Sequence, residues 1–487
     1  MENQLNFTYL IRFSGDVTYR RHNSRSLFEK LVLRNIILAM KKHNVFFKVY
    51  KLSSRIILKT NKDVSNVLNK IFGISSFSYC NEINFENLEE LAKKVFELNK
   101  NKIKNKTFAI RCRRVGKHDF NSMQVASYIG GLLNPFSNGV DLENPEVEIN
   151  LEIRGKKAFV YDNVFEGSNG LPIGSGDKLI SLFSGGFDSP VAAWFLAKRG
   201  CKVDFLHFAF GSLTDTIDVI SVAKILADNW FYGHDSKFYI IQMNSFINEI
   251  MKNLEPRIWQ VVLRRGMYLA SERFSIMKNY EGMITGESVA QATSQTIRNI
   301  RVAEEGIQLP IFRPLIGWDK KDIIDLSKKI GTYESSLRVQ ELCSIAIGPL
   351  TPKADPEKFR KDFEKLDLSI IDKAINDYIE INLSSLNEEQ ILKLKEKEDY
   401  VINYIPSDAI VVNLMPEKMK IPNSLTLMDL NDEKLKNNMV IFVCEKGLTS
   451  KGLAKHYRSL GIKAYSLFEG FEGYKKLQKN AILKSQP

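Results

Sequence analysis

Six consecutive residues, Ser184-Gly185-Gly186-Phe187-Asp188-Ser189, carry the clearest chemistry in the chain. They follow an apolar segment, 178–183, that reads as a strand, and they precede a helical pattern starting near Pro190. Two glycines let the backbone come close to an oxyanion, and the free N–H groups at a helix start point toward it. Ser184 and Ser189 add hydroxyl donors. Asp188 would repel phosphate, and it makes sense there if it holds Mg²⁺. No GxxxxGK[ST] segment occurs, so the loop is not of the Walker A type; the same Gly-Gly turn could also be purely structural. A second candidate is Cys444, which follows the apolar strand 439–443 and opens Cys444-Glu445-Lys446-Gly447-Leu448-Thr449-Ser450. A third is the basic run Arg111, Arg113, Arg114, Lys117 and His118, with Phe108 and Phe120 nearby. On a strand, 111 and 113 share a face. The run suits a polyanion, or it is a solvated edge strand.

These groups need elements to hold them. The 487 residues suggest three or four domains. Residues 1–75 read as a small α+β unit, with strands at 6–13, 45–51 and 54–60 and helices at 24–42 and 63–73. A second α+β unit spans 76–165. From 166 to 355 apolar strands alternate with helices, the pattern of a doubly wound parallel sheet; its helices include a long one at 246–279. Residues 356–399 are rich in Lys, Asp and Glu and read as a helical connector. Residues 400–487 read as a small α/β domain, with strands at 409–415, 424–430, 439–444 and 464–471.

Composition narrows the classes. The formal net charge is +12, and residues 1–165 hold 27 Lys and Arg against 16 Asp and Glu, so nearly all the excess lies in the first third. That asymmetry suggests a nucleic-acid partner, since Lys and Arg displace counterions from phosphates. A hydrophobic fraction of 44% excludes a largely disordered chain. No stretch approaches the roughly 20 apolar residues of a membrane span, and the first residues lack the pattern of a secretory signal. Five cysteines are too few for a disulfide framework. The expectation is a cytoplasmic protein with no membrane partner.

The loop resembles the pyrophosphate loop of the N-type ATP pyrophosphatases, which split ATP between its α and β phosphates and adenylate a substrate. The segments GLPIGSGDKLISLFSGGFDSPVAAW, LRRGMYLASE, ITGESVAQATSQTIRNI, RPLIGWDKKDII and IGTYESS together resemble the tRNA 4-thiouridine synthetases (tRNA sulfurtransferases). FEKLVLRNI and the IFGI segment resemble that family's N-terminal ferredoxin-like domain. FAIRCRRVGKHDFNSMQVASYIGG with VDLENPEVEINLEI resembles a THUMP RNA-binding domain, and the Cys444 loop resembles that of a rhodanese.

The resemblance implies an enzyme that adenylates the uridine at position 8 of tRNA and replaces its O4 with sulfur. It implies that Ser184, Gly185, Gly186, Asp188 and Ser189 hold the ATP phosphates, with Mg²⁺ expected. Leu182, Phe183, His207 and Phe208, at the carboxyl ends of two strands, would border the adenosine; His207 could equally be a core histidine. Arg264, Gly286 and Gln295 match further nucleotide positions, although Arg264 or its neighbour Arg265 could instead face tRNA. Arg111, Arg113, Arg114 and Lys117 would grip tRNA through phosphate and shape. Cys444 would carry a persulfide in a nest of N–H groups that stabilises negative sulfur. Cys343 would attack it, leaving a Cys343–Cys444 disulfide that a thiol reductant must open. The expected sulfur donor is a cysteine desulfurase, and no CxxC lies near Cys343 to suggest an iron–sulfur cluster. Sulfur relay to thiazole synthesis, or adenylation of another tRNA base, are the alternatives. One departure is Asn413, in a stretch where rhodaneses usually carry Asp-x-Arg.

Overall fold

The computed structural model describes residues 4–52, 54–210, 216–339, 351–386 and 400–484, apart from 407, 416–418, 420, 431–434, 436–437 and 446. Cys343 and Lys446 lie outside the described residues. The chain divides into two compact units, the first made of 1–177 with 197–202 and 228–234, the second of the remainder.

The first unit holds two sheets. One has the order Phe47–Leu52, Arg55–Thr60, Phe7–Phe13, Ile74–Tyr79, Phe165–Glu166, antiparallel throughout. Along Phe7–Phe13 successive side chains face opposite sides, as in a pleated strand, with a register shift against Ile74–Tyr79 at Arg12/Phe13. Tyr9 and Ile11 face a core that includes Val32 and Ile36 of the helix His22–Lys42, while Leu10 and Ile57 face Phe159 and Tyr161 of the other sheet. That second sheet runs Asn81–Asn84, Lys157–Tyr161, Val147–Arg154, Phe108–Val115, with the last pair parallel. The helices Leu88–Asn99 and Ser122–Leu133 cover its other face. Both begin at an Asn whose side chain accepts a backbone N–H of the first turn, a cap worth about 1 kcal/mol. The boundary expected near 75 is interleaved: Ile74–Tyr79 and the distant Phe165–Glu166 both complete the first sheet. The helix expected at 63–73 is only Ser65–Leu68.

In the second unit a six-stranded sheet has the order Ile311–Phe312, Met283–Ile284, Lys178–Leu182, Lys202–Ala209, Lys237–Gln242, Ile379–Asn382. Neighbours run parallel except the last, which is antiparallel. Of the helical connector expected at 356–399, the described residues 356–386 do more than connect. Helices Pro356–Phe363 and Ser369–Asn376 place Phe359, Phe363, Ile371 and Ile375 in the sheet's core, and Ile379–Asn382 caps an edge. The long helix expected at 246–279 is broken into Asn244–Asn253 and Trp259–Lys278, because Leu254 is extended and Pro256 starts a 3₁₀ turn.

Residues 400–484 form a four-stranded parallel sheet ordered Val401–Ile402, Ala464–Leu467, Val440–Val443, Ile410–Asn413. The strand expected at 424–430 is a single bridge from Leu425 to Val412 followed by a 3₁₀ turn, Leu427–Asp429.

Candidate functional site

Strand Lys178–Leu182 is buried through Leu179, Ile180 and Ser181 and carries the chain to Phe183, whose ring packs on Phe205 at 4.7 Å. The Phe183 amide donates to the Leu206 carbonyl (2.8 Å), and His207 Nδ1 donates to the Phe183 carbonyl (2.9 Å). His207 is fully buried; desolvation pushes its pKa down to about 4 although that hydrogen bond opposes the shift. It is thus a neutral brace under the loop. Phe208 also lies in the core, with Leu182 half-buried against it.

The turn that follows is dictated by its glycines. Gly185 has φ +79°, and a Cβ there would sit 3.0 Å from Val219 Cα. The Ser184 and Gly185 amides both donate to Ser189 Oγ at 3.2 Å. Helix Asp188–Lys198 then begins, so the loop ends on a helix N-terminus. Gly286, after strand Met283–Ile284, abuts this start: a Cβ would lie 2.8 Å from both Asp188 C and Ser189 N.

The Asp188 carboxylate accepts from Lys320 Nζ (2.8 and 2.9 Å) and from Gln291 Nε2 (3.0 Å). Sequence reasoning missed both residues. A signal for Lys320 existed, since it opens helix Lys320–Ile330, where the helix dipole disfavours a cation unless an acid holds it. Lys320 also lies 5.5 Å from the ring of Phe187, which stacks on Tyr333.

Arg264, matched above to a nucleotide position, is held by two buried side chains. It pairs with Glu287, and its second arm donates to Ser294 Oγ at 3.0 Å. Glu287 also accepts from Tyr268 (2.5 Å), Thr285 (3.1 Å) and Arg313 Nε (2.8 Å). Burial raises the Glu287 pKa, but Arg264, Tyr268 and Arg313 outweigh it and hold the carboxyl below its usual range. Arg265 is turned inward too, donating to the Val302 carbonyl with its guanidinium 4.7 Å from the Phe363 ring. Gln295 ends a 3₁₀ turn, and its buried Oε1 has no partner among the described residues.

Cys444 is buried at the end of strand Val440–Val443. Gly447, at φ +83°, precedes helix Leu448–Ser459 and has no side chain to cap it. The sulfur takes that place: the Ser450 amide donates to Sγ at 3.5 Å and Ser450 Oγ lies 3.3 Å from it. Gly470, at φ +56°, closes the loop from below; a Cβ there would meet the Cys444 carbonyl oxygen at 2.1 Å. Asn413 stays local, accepting from the Met415 amide at 3.1 Å.

In the first unit Arg111 and Arg113 line a concavity of about 580 Å³ with Met123 and Glu148, beside the edge strand Phe108–Val115. Arg111 reaches Glu148 (3.2 Å) and the Leu142 carbonyl (2.6 Å). Arg114 instead ties the turn, donating to the Gly116 carbonyl and to His118 Nδ1, whose other nitrogen donates to the Gly155 carbonyl. Lys117 is exposed beyond the strand.

A family model described as Thiamine biosynthesis protein (ThiI) matches residues 174–368, a THUMP domain model matches 84–162, and a ThiI ferredoxin-like domain model matches 8–78. The tRNA sulfurtransferase of Desulfurococcus amylolyticus is 35% identical over 477 residues, covering 96% of this chain and 98% of its own. The chain belongs to the tRNA sulfurtransferase family. A probable tRNA sulfurtransferase of Sulfurisphaera tokodaii is 43% identical over 337 residues, which are 69% of this chain and 90% of that one. It is therefore a shorter protein. The crystal structure of a 4-thiouridine synthetase–RNA complex with bound ATP matches at a TM-score of 0.68 and 26% identity, over 77% of this chain and 99% of that one. The ferredoxin-like, THUMP and adenylating folds expected for tRNA sulfurtransferases are thus all present.

Proposed function

We propose that this protein uses ATP to replace O4 of the uridine at position 8 of tRNA with sulfur, giving 4-thiouridine. The observation that supports it is the loop Ser184–Ser189 on a helix N-terminus, with Lys320 at the Asp188 carboxylate. The loop amides and hydroxyls suit the phosphates of ATP. Lys320 is placed to offset charge that builds on the departing pyrophosphate. Asp188, the one carboxylate of the loop, would hold Mg²⁺ on exchange of its Lys320 contact, and the ion would neutralise phosphate charge.

In the first step the uridine O4 attacks the α-phosphorus and pyrophosphate departs. In the second the terminal sulfur of a Cys444 persulfide attacks the activated carbon and AMP departs. Cys343 then attacks Cys444 Sγ, releasing the thiolated base and forming a Cys343–Cys444 disulfide; a dithiol reductant supplies the two electrons that reopen it. A cysteine desulfurase is the proposed source of the persulfide, and the rhodanese-like reading of residues 400–487 rests on the strand order and the sulfur at a helix start. The RNA is held by the basic first unit, where Arg111 and Arg113 border the concavity and Lys117 is exposed.

The test is AMP release and 4-thiouridine formation with ATP, Mg²⁺ and unmodified tRNA. Asp188→Ala should cut AMP release by about 10³-fold with tRNA affinity kept. Cys444→Ser should stop turnover from a persulfide donor while adenylation survives. Full activity in either variant overturns the corresponding role. The family model's name favours a second reading, sulfur relay to thiazole synthesis; a thiamin requirement in a deletion strain that Cys444→Ser fails to relieve would support it.

A further inference from the structure

We propose that Arg264 is a positioning residue that staples the loop 287–294 shut, so that Gln291 at its middle orients the Asp188 carboxylate. The proposal rests on the reading of Ser184–Ser189 as the nucleotide loop. One guanidinium joins both ends of the segment: one arm pairs with Glu287 at the start, and the other donates to Ser294 Oγ at the end. Between them Ala290 adopts φ +63°, uncommon for a non-glycine residue, and the turn closes through its amide on the Gln295 carbonyl at 3.1 Å. Gln291 projects from this turn to Asp188 Oδ2 at 3.0 Å.

The anchor is rigid. All four oxygen contacts of Glu287 come from defined positions, namely Arg264, Tyr268, Thr285 and Arg313. Arg313 in turn pairs with Glu304 at 2.5 Å, which makes a neutral set of two arginines and two carboxylates. Glu287 follows Gly286, where a Cβ would meet Asp188 C and Ser189 N at 2.8 Å. Lysine could keep the charge of Arg264 but cannot span Glu287 and Ser294 with a planar fork.

The experiment measures steady-state AMP release against ATP concentration at saturating tRNA, with tRNA affinity measured separately. The proteins are wild type, Gln291→Ala, Arg264→Lys and the double variant. Gln291 is exposed, so its substitution leaves the core intact. Each single variant should lower kcat/KM for ATP by about tenfold with tRNA affinity within about twofold, and the double variant should be no worse than the poorer single, since both act through one contact. Amide hydrogen exchange at 288–293 should quicken in Arg264→Lys and not in Gln291→Ala. Multiplied losses in the double variant, unchanged ATP parameters in Gln291→Ala, or unaltered exchange in Arg264→Lys would each overturn the proposal. Absence of ATP use by the wild type would instead overturn the reading of the nucleotide loop itself.

Discussion

His207 shows what a single position can conceal. Its place at a strand end left a nucleotide neighbour and a core histidine equally open; it is buried and donates to the Phe183 carbonyl beneath the loop. The sequence could name it but not say which way its ring faced. Its folded pKa of about 4 lies below the usual 6.5, so between those values the unfolded chain holds the extra proton. Stability is thus fully present above pH 6.5 and falls as acid is added through that window. Lowering pH from 7 to 5 should cost the wild type roughly 2 kcal/mol that His207→Asn, which keeps a donor without the titration, does not lose; denaturant midpoints at the two pH values check this. Asp188 is the converse case. Its type and setting were legible, but Lys320 lies 132 residues away in sequence, and only folding reveals the pair.

At the level of elements, the parallel strands were legible because both of their faces are buried and their sequences are nearly continuous apolar runs. What escaped was short or hidden by composition: the two-residue strand Ile311–Phe312, the edge strand Ile379–Asn382, and the core packing of Phe359 and Ile371 on helices whose charged faces masked it. The close packing of two turns was also invisible, because a glycine shows no reason for being one. Gly286 has its reason in the backbone of Asp188 and Ser189, neither of which can yield as a flexible side chain would. Gly286→Ala should raise the KM for ATP at least about tenfold and lower stability by about 1–3 kcal/mol. Titrating ATP against AMP release, with a melting curve alongside, would measure both.

Over the whole molecule, the concentration of charge in the first third was legible from the chain alone. Strand interleaving was not, since Phe165–Glu166 returns to a sheet begun near residue 7. The charge has a thermodynamic consequence. Binding of unmodified tRNA should weaken steeply with salt, and replacing Arg113 and Lys117 together with Ala should reduce the slope of log affinity against log salt by about two. Anisotropy titrations across a salt series would show it; an unchanged slope would move the RNA contact elsewhere.

The antiparallel strand Ile379–Asn382 matters to anyone who would shorten the protein. It pairs with Lys237–Ile240 of the strand Lys237–Gln242, whose central residues Phe238, Tyr239, Ile240 and Ile241 are buried. A fragment trimmed at 355 would expose that rim as a template for other copies and should collect in inclusion bodies. A fragment carried through Leu386 keeps its own cover, and should stay monodisperse on gel filtration.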